Sequence, residues 1–201
     1  LADGLRSRFV ATASTADLDG AVAAYKQALD LATDGHRARK DYLYRLGTAL
    51  QARFLRSRDP ADLKDAIVAL GAALDAYPEG HPNRPGCLSH LGNALRLRYE
   101  SSQNAADLDE AIAVCREGIG VWISGDPDLG PRLITLGNLL GKRYTRRWDE
   151  SDLTEAMLCF LRASTLESVP PSHRIQAAWT AARVVARMEP EAADGAAKLL
   201  E

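Results

Sequence analysis

Cys87 and His90 stand three residues apart, near enough on a helix to form a thiol–imidazole pair or half of a metal site. A structural zinc needs four ligands, and no second pair of Cys or His accompanies these two. A row of guanidinium groups is the other candidate. Arg8, Arg53, Arg98 and Arg143 recur every 45 residues, and such a row can attract an acidic strip. Each arginine, however, precedes an aspartate by nine residues: Asp17, Asp62, Asp107 and Asp152. Arg53, Arg98 and Arg143 also follow Leu46, Leu91 and Leu136 by seven residues, which turns them towards a packed face. Forked arginine–carboxylate bonds that tie two helices together are the expected use. There is no glycine-rich phosphate loop, no His/Glu metal motif and no nucleophile elbow. No catalytic, cofactor-binding or metal-binding residue is therefore expected.

The elements that hold these residues follow from the same step. It also carries Leu5, Leu50, Leu95 and Leu140, and the aromatic set Phe9, Phe54, Tyr99 and Tyr144. An internal repeat without slippage points to stacked supersecondary units. Each unit reads as two helices. In the second copy Leu43, Leu46, Leu50 and Phe54 share one helical face, and Leu63, Ala66, Ile67, Leu70, Ala73 and Leu74 share another. Ser14, Asp59, Asn104 and Asp149 predict the starts of the second helices, as N-caps. The repeated aspartate falls three residues later, where its carboxylate can reach back to the N–H of the cap. His36 and His81 open equivalent first helices and are expected in turns or caps. Trp122, Trp148 and Trp179 lie at unrelated repeat positions and are expected to pack. Breakers such as Pro78, Gly80, Pro170 and Pro171 fall between helices, and no period-two alternation competes. The expected repeats are 1–35, 36–80, 81–125, 126–170 and a partial copy at 171–188. Residues 189–201 read as a short capping helix or the stub of a further segment.

Bulk composition narrows the classes. The apolar content of 46% and charged content of 26% are ordinary for a folded chain. A formal net charge of −2 gives no reason to expect nucleic acid or an anionic membrane as partner. No apolar run reaches the roughly 18 residues that a membrane span needs. Cys87, Cys115 and Cys159 are odd in number and scattered, which argues against a disulfide framework and suits a reducing cytoplasm. The chain opens on Leu1 rather than Met, so it is expected to be a piece of a longer protein.

Leu46-Gly47, Ala66, Leu70, Ala73 and Pro78 together resemble the tetratricopeptide repeat (TPR), with Gly47, Gly92 and Gly137 as the small residues of the first helices. The usual period is 34 residues; the longer form here, Leu91-Gly92-Asn93 to Ile112, is similar to repeats that accompany CHAT (caspase-like) peptidase domains or follow nucleotide-binding switch domains. The resemblance implies an all-α, right-handed superhelical solenoid of antiparallel helix pairs, about four and a half repeats long. It implies a peptide-binding groove lined by first helices. The positions it points to are Thr48, Asn93, Asn138 and Arg183, and one turn on Gln51, Arg96, Lys142 and Arg187. Ser89 and Ile134 stand where the family's carboxylate clamp carries lysine, so that clamp is not implied. The expected function is a non-enzymatic scaffold for protein–protein interaction in a larger cytoplasmic protein. Its partner would be a protein or a peptide carrying Asp or Glu, bound mainly by the C-terminal half. The alternatives are a regulatory or sensor region that contacts its own catalytic domain, and self-assembly through the ends of the array.

Overall fold

The computed structural model describes residues 3, 4, 7, 15–33, 36–120, 126 and 128–188. Among them are eight α-helices and no strand. They are α1 (Thr15–Leu31), α2 (Arg39–Ser57), α3 (Pro60–Ala76), α4 (Arg84–Ser102), α5 (Ala105–Gly120), α6 (Leu129–Arg147), α7 (Glu150–Thr165) and α8 (Pro171–Met188). The chain forms two compact units, Leu1–Asp107 and Leu108–Glu201, each described by itself below. The expected cap at Ser14, Arg8 of the first arginine position, Trp122 and the segment 189–201 lie outside the described residues.

In the first unit α2 packs on α1 and α3, and α3 on α4; in the second, α7 packs on α6 and α8. The apolar stripes are the contact faces. Leu46, Leu50 and Phe54 of α2 are buried, as are Leu63, Ala66, Leu70 and Ala73 of α3. Leu133, Leu136 and Leu140 of α6 and Leu153, Ala156, Phe160 and Ala163 of α7 repeat the arrangement. Each fully buried leucine contributes about 1.5–3 kcal/mol over an exposed one. Glycine sets the approach within each pair. A Cβ on Gly47 would lie 2.5 Å from Leu70 Cγ, and one on Gly137 2.8 Å from Phe160 Cζ.

The second helices start where the caps predict. Asp59 accepts from Ala61 N–H (2.9 Å), Asn104 from Ala106 N–H (3.0 Å) and Asp149 from Ser151 N–H (3.0 Å). The reach-back from the repeated aspartate is replaced. The N–H of Asp59 donates to Ser57 Oγ and that of Asn104 to Ser102 Oγ, both at 3.1 Å. The carboxylate of Asp62 is engaged by Arg53, a stronger, charged donor. His36 and His81 do sit in turns, where each Nδ1 accepts a backbone N–H two residues on, from Ala38 (3.3 Å) and Asn83 (3.2 Å).

Three first helices, α2, α4 and α6, end without glycine. Arg58, Gln103 and Trp148 all take left-handed backbone, at φ 59°, 56° and 55°. Each returns its N–H to a carbonyl of the last turn, on Phe54, Tyr99 or Tyr144. This placement explains why Trp148 does not pack: it is 73% exposed at a helix end, with its ring set edge-on to Tyr144 at 5.4 Å. Trp179 is 69% exposed on α8, so it does not pack either. All three cysteines are free and buried.

Candidate functional site

The arginine row is structural. Arg53 grips Asp62 with two bonds, Nε–Oδ2 at 2.9 Å and Nη2–Oδ1 at 2.5 Å. Arg143 grips Asp152 likewise, at 2.8 and 2.5 Å. Arg98 Nη2 meets Asp107 Oδ1 at 2.7 Å. The aspartates are buried and the arginines largely so, which places each pair across the turn between the two helices of a repeat. A second carboxylate joins from the preceding second helix: Asp19 reaches Arg53 (3.2 Å), and Asp109 reaches Arg143 (3.1 Å) and Arg147 (2.7 Å). The bond to Asp152 holds the Arg143 guanidinium above its ordinary pKa. Partial burial pushes the Asp109 carboxyl up, but Arg147 and Arg143 outweigh it and hold the group below the usual range.

The Cys87–His90 pair does not form a site. Cys87 Sγ donates to Leu70 O at 3.3 Å, and burial pushes its thiol up to about 12. His90 turns instead to Gln51. Its Nδ1 lies 2.9 Å from Gln51 Oε1, and its backbone O accepts from Gln51 Nε2 at 3.2 Å.

The expected groove residues fall into two groups. In the first unit Gln51 is buried, and the others bond within their own helices. Thr48 Oγ1 donates to Arg45 O, and Gln51 is only 4% exposed. Asn93 Oδ1 accepts from Arg96 Nη2 at 2.7 Å, and Arg96 Nη1 pairs with Glu100 at 2.8 Å. In the second unit Asn138 lines an opening. Asn138 is exposed, and among the described residues its amide makes no side-chain hydrogen bond. It borders a cavity of about 350 Å³ between α6, α7 and α8. The walls are apolar: Pro131 and Ile134 of α6, Phe160 of α7, and Val169 before α8. The polar lining is Asn138 of α6 with His173, Gln176 and Thr180 of α8. Lys142 follows Asn138 by one turn on α6; Arg183 follows Thr180 by one turn on α8 and is exposed. Arg187 lies in the last turn of α8.

Two repeats earlier, at an offset of 90 residues (134−44), the corresponding space in the first unit is filled. Where Ile134 stands, the first unit has Tyr44, whose hydroxyl would lie 3.0 Å from a Cβ on Gly86 and whose ring meets His90 edge-on at 5.8 Å. Where Thr180 and Gly141 stand, it has the bonded pair His90 and Gln51. Where Pro131 and His173 stand, it has Asp41 and Asn83, joined at 3.1 Å, with Tyr77 Oη donating to Asp41 at 2.7 Å. Burial first, and then the Asp41 carboxylate, hold the Tyr77 phenol well above its ordinary pKa. Every partner in this latch is changed in the second unit. Sequence reasoning missed the cavity; the signal was the substitution of Tyr44 by Ile134 and of His90 by Thr180 in an otherwise regular register.

Among the described residues no three His, Cys, Asp or Glu side chains gather as a metal site requires, and no helix is long and apolar enough to cross a membrane. No protein-family model matches the sequence, and no curated protein matches it. Solved structures do. The nearly identical TPR-like repeats of a Podosopora anserina protein assigned as a kinesin light chain superpose with a TM-score of 0.62 at 17% identity, covering 98% of this chain and 90% of that one. A single-substitution variant of those repeats gives 0.63 at 16% identity, with the same coverage. Helix pairs in a 45-residue register, glycine at their contacts and these structural neighbours together identify the chain as a TPR-like repeat protein in its fold.

Proposed function

We propose that this chain is a non-catalytic, cytoplasmic protein-interaction module that holds an extended acidic peptide segment on its C-terminal unit. The observation that carries the reading is the open cavity lined by Asn138, with Lys142 one helical turn on along α6 and exposed Arg183 one turn beyond Thr180 on α8. An amide both donates and accepts, which suits the main chain of an extended segment. Cations beside a cleft draw in carboxylates and set a salt-dependent on-rate. Gln51 is buried against His90, and Thr48, Asn93 and Arg96 bond within their own helices, so the reading centres on Asn138, Lys142, Arg183 and Arg187. The segment can belong to a separate protein or to another domain of a longer polypeptide; the chemistry is the same.

The test is selection from a display library of random peptides, followed by titration of an enriched peptide at low and high salt. Asn138→Ala is expected to weaken binding at least tenfold, and salt to weaken it further as charges are screened over about 8–10 Å. Asn93→Ala is expected to leave it unchanged. Enriched peptides that bind Asn138→Ala as tightly as wild type, without salt dependence, would place the partner surface elsewhere.

A further inference from the structure

We infer that the cavity over Phe160 receives one bulky aliphatic or aromatic side chain of the bound peptide, an apolar anchor with Asp or Glu a few residues away. This rests on the peptide-binding reading above and adds the feature that selects the peptide. The protein supplies its own precedent for the occupant. At the same register in the first unit an aromatic side chain, Tyr44, fills the space between α2 and α4. In the second unit Ile134 is shorter and Thr180 replaces the histidine, so the place of that ring is left to be filled from outside. The volume of about 350 Å³ lies at the small end of ligand pockets, suited to one large side chain and its adjoining main chain. The walls of Ile134, Phe160 and Val169 offer no hydrogen bond, so a polar side chain would be buried without a partner. Thr180 Oγ1 is already used, donating to Gln176 O at 2.8 Å. The side-chain amides of Asn138 and Gln176 make no such bond among the described residues and stand at the mouth, where peptide main chain would cross. Arg183, exposed on α8, lies one helical turn beyond Thr180, which places the complementary carboxylate a few residues from the anchor.

The experiment fills the same place in the second unit with an aromatic ring, as Ile134→Phe/Thr180→His; Phe is used because Gln176 stands where Gly86 makes room for the Tyr44 hydroxyl. The probe is the peptide enriched from the random library on wild-type protein. Enriched peptides are expected to share a bulky apolar residue near Asp or Glu. The double variant is expected to keep its helical melting transition and bind at least tenfold more weakly. Replacing the anchor by Ala in the peptide should cost a similar factor on wild type and little on the plugged variant, as two changes at one contact are non-additive. Should the double variant fail to fold, the anchor-to-Ala peptide measured on wild type decides alone. Equal binding by wild type and plugged protein, or an indifferent anchor, overturns the inference. If Asn138→Ala and salt still weaken binding in that case, the peptide reading stands without it. If no peptide is enriched, both fall.

Discussion

The cleft between α2 and α4 and the cleft beside α6 and α8 occupy the same repeat register, yet the first is filled by the protein's own side chains and the second is open. The residues that make a repeat fold are equal in the two: the glycine at the helix contact, the N-cap, the forked Arg–Asp tie. Among the residues that differ are all those that seal the first cleft: Tyr44, His90, Gln51, Asp41, Asn83 and Tyr77 give way to Ile134, Thr180, Gly141, Pro131, His173 and Glu167. Repetition therefore marks what folding requires. Departure from it, at Ile134, Gly141, His173 and Thr180, leaves the cleft of the second unit open.

The largest effect expected is on the shared feature. Arg143→Ala strips the partner from Asp152, whose side chain is 1% exposed, and should lower unfolding stability by about 3–5 kcal/mol in urea. Arg53→Ala should behave likewise in the first unit. An Arg143→Ala protein that melts normally but no longer binds peptide would move the arginines to the ligand and erase the comparison. The next change separates the clefts. Tyr44→Ala opens a filled space and should cost about 2–3 kcal/mol, whereas Ile134→Ala only enlarges an existing cavity and should cost about 1 kcal/mol. Equal losses would mean that the two clefts are packed alike.

Cys87 gives a chemical reading of the seal, since its equivalent in the second unit is Ala177. Its thiol is buried and its pKa is raised to about 12, so the neutral form is the one stabilised. With the folded pKa above the unfolded one, this contribution is complete below about pH 8.5 and declines as pH rises towards 12. Cys87→Ala should flatten the alkaline limb of the stability profile. In native wild-type protein Cys87 should resist a thiol reagent, and Tyr44→Ala should expose it; mass mapping of the labelled cysteine reads both. The smallest effect concerns the left-handed ends of the first helices. Arg58→Gly should gain about 0.5 kcal/mol, the relief of φ 59° less the lost contact of the guanidinium with the Phe54 ring. A loss on substitution would show that the Arg58 side chain matters more than its backbone.

The fold was legible where one residue type at one spacing suffices. Asp59, Asn104 and Asp149 cap because a short acceptor before an apolar stripe has little else to do, and nine residues is the span from Arg53 to Asp62 across a helix turn. The helix ends were less legible: Arg58, Gln103 and Trp148 adopt a backbone that glycine would announce. The site was legible only in outline. Position alone picked Asn138, which lines the cavity, and equally picked Gln51, which is buried and bonded to His90, 39 residues away. The filling of a cleft depends on side chains from three helices at once, and no local pattern encodes their sum.

The Arg–Asp tie also bears on how the chain reaches its structure. Its partners are nine residues apart, so closing a helix pair requires only a short loop. Local closure is fast, and arrays of such pairs can nucleate at any repeat and extend to neighbours. The Gln51–His90 bond closes 39 residues and must come later. In stopped-flow refolding Arg53→Ala is then expected to slow folding, while Gln51→Ala chiefly speeds unfolding. The order of events would run from hairpin to latch, and only the unit with a latch has that last step to take.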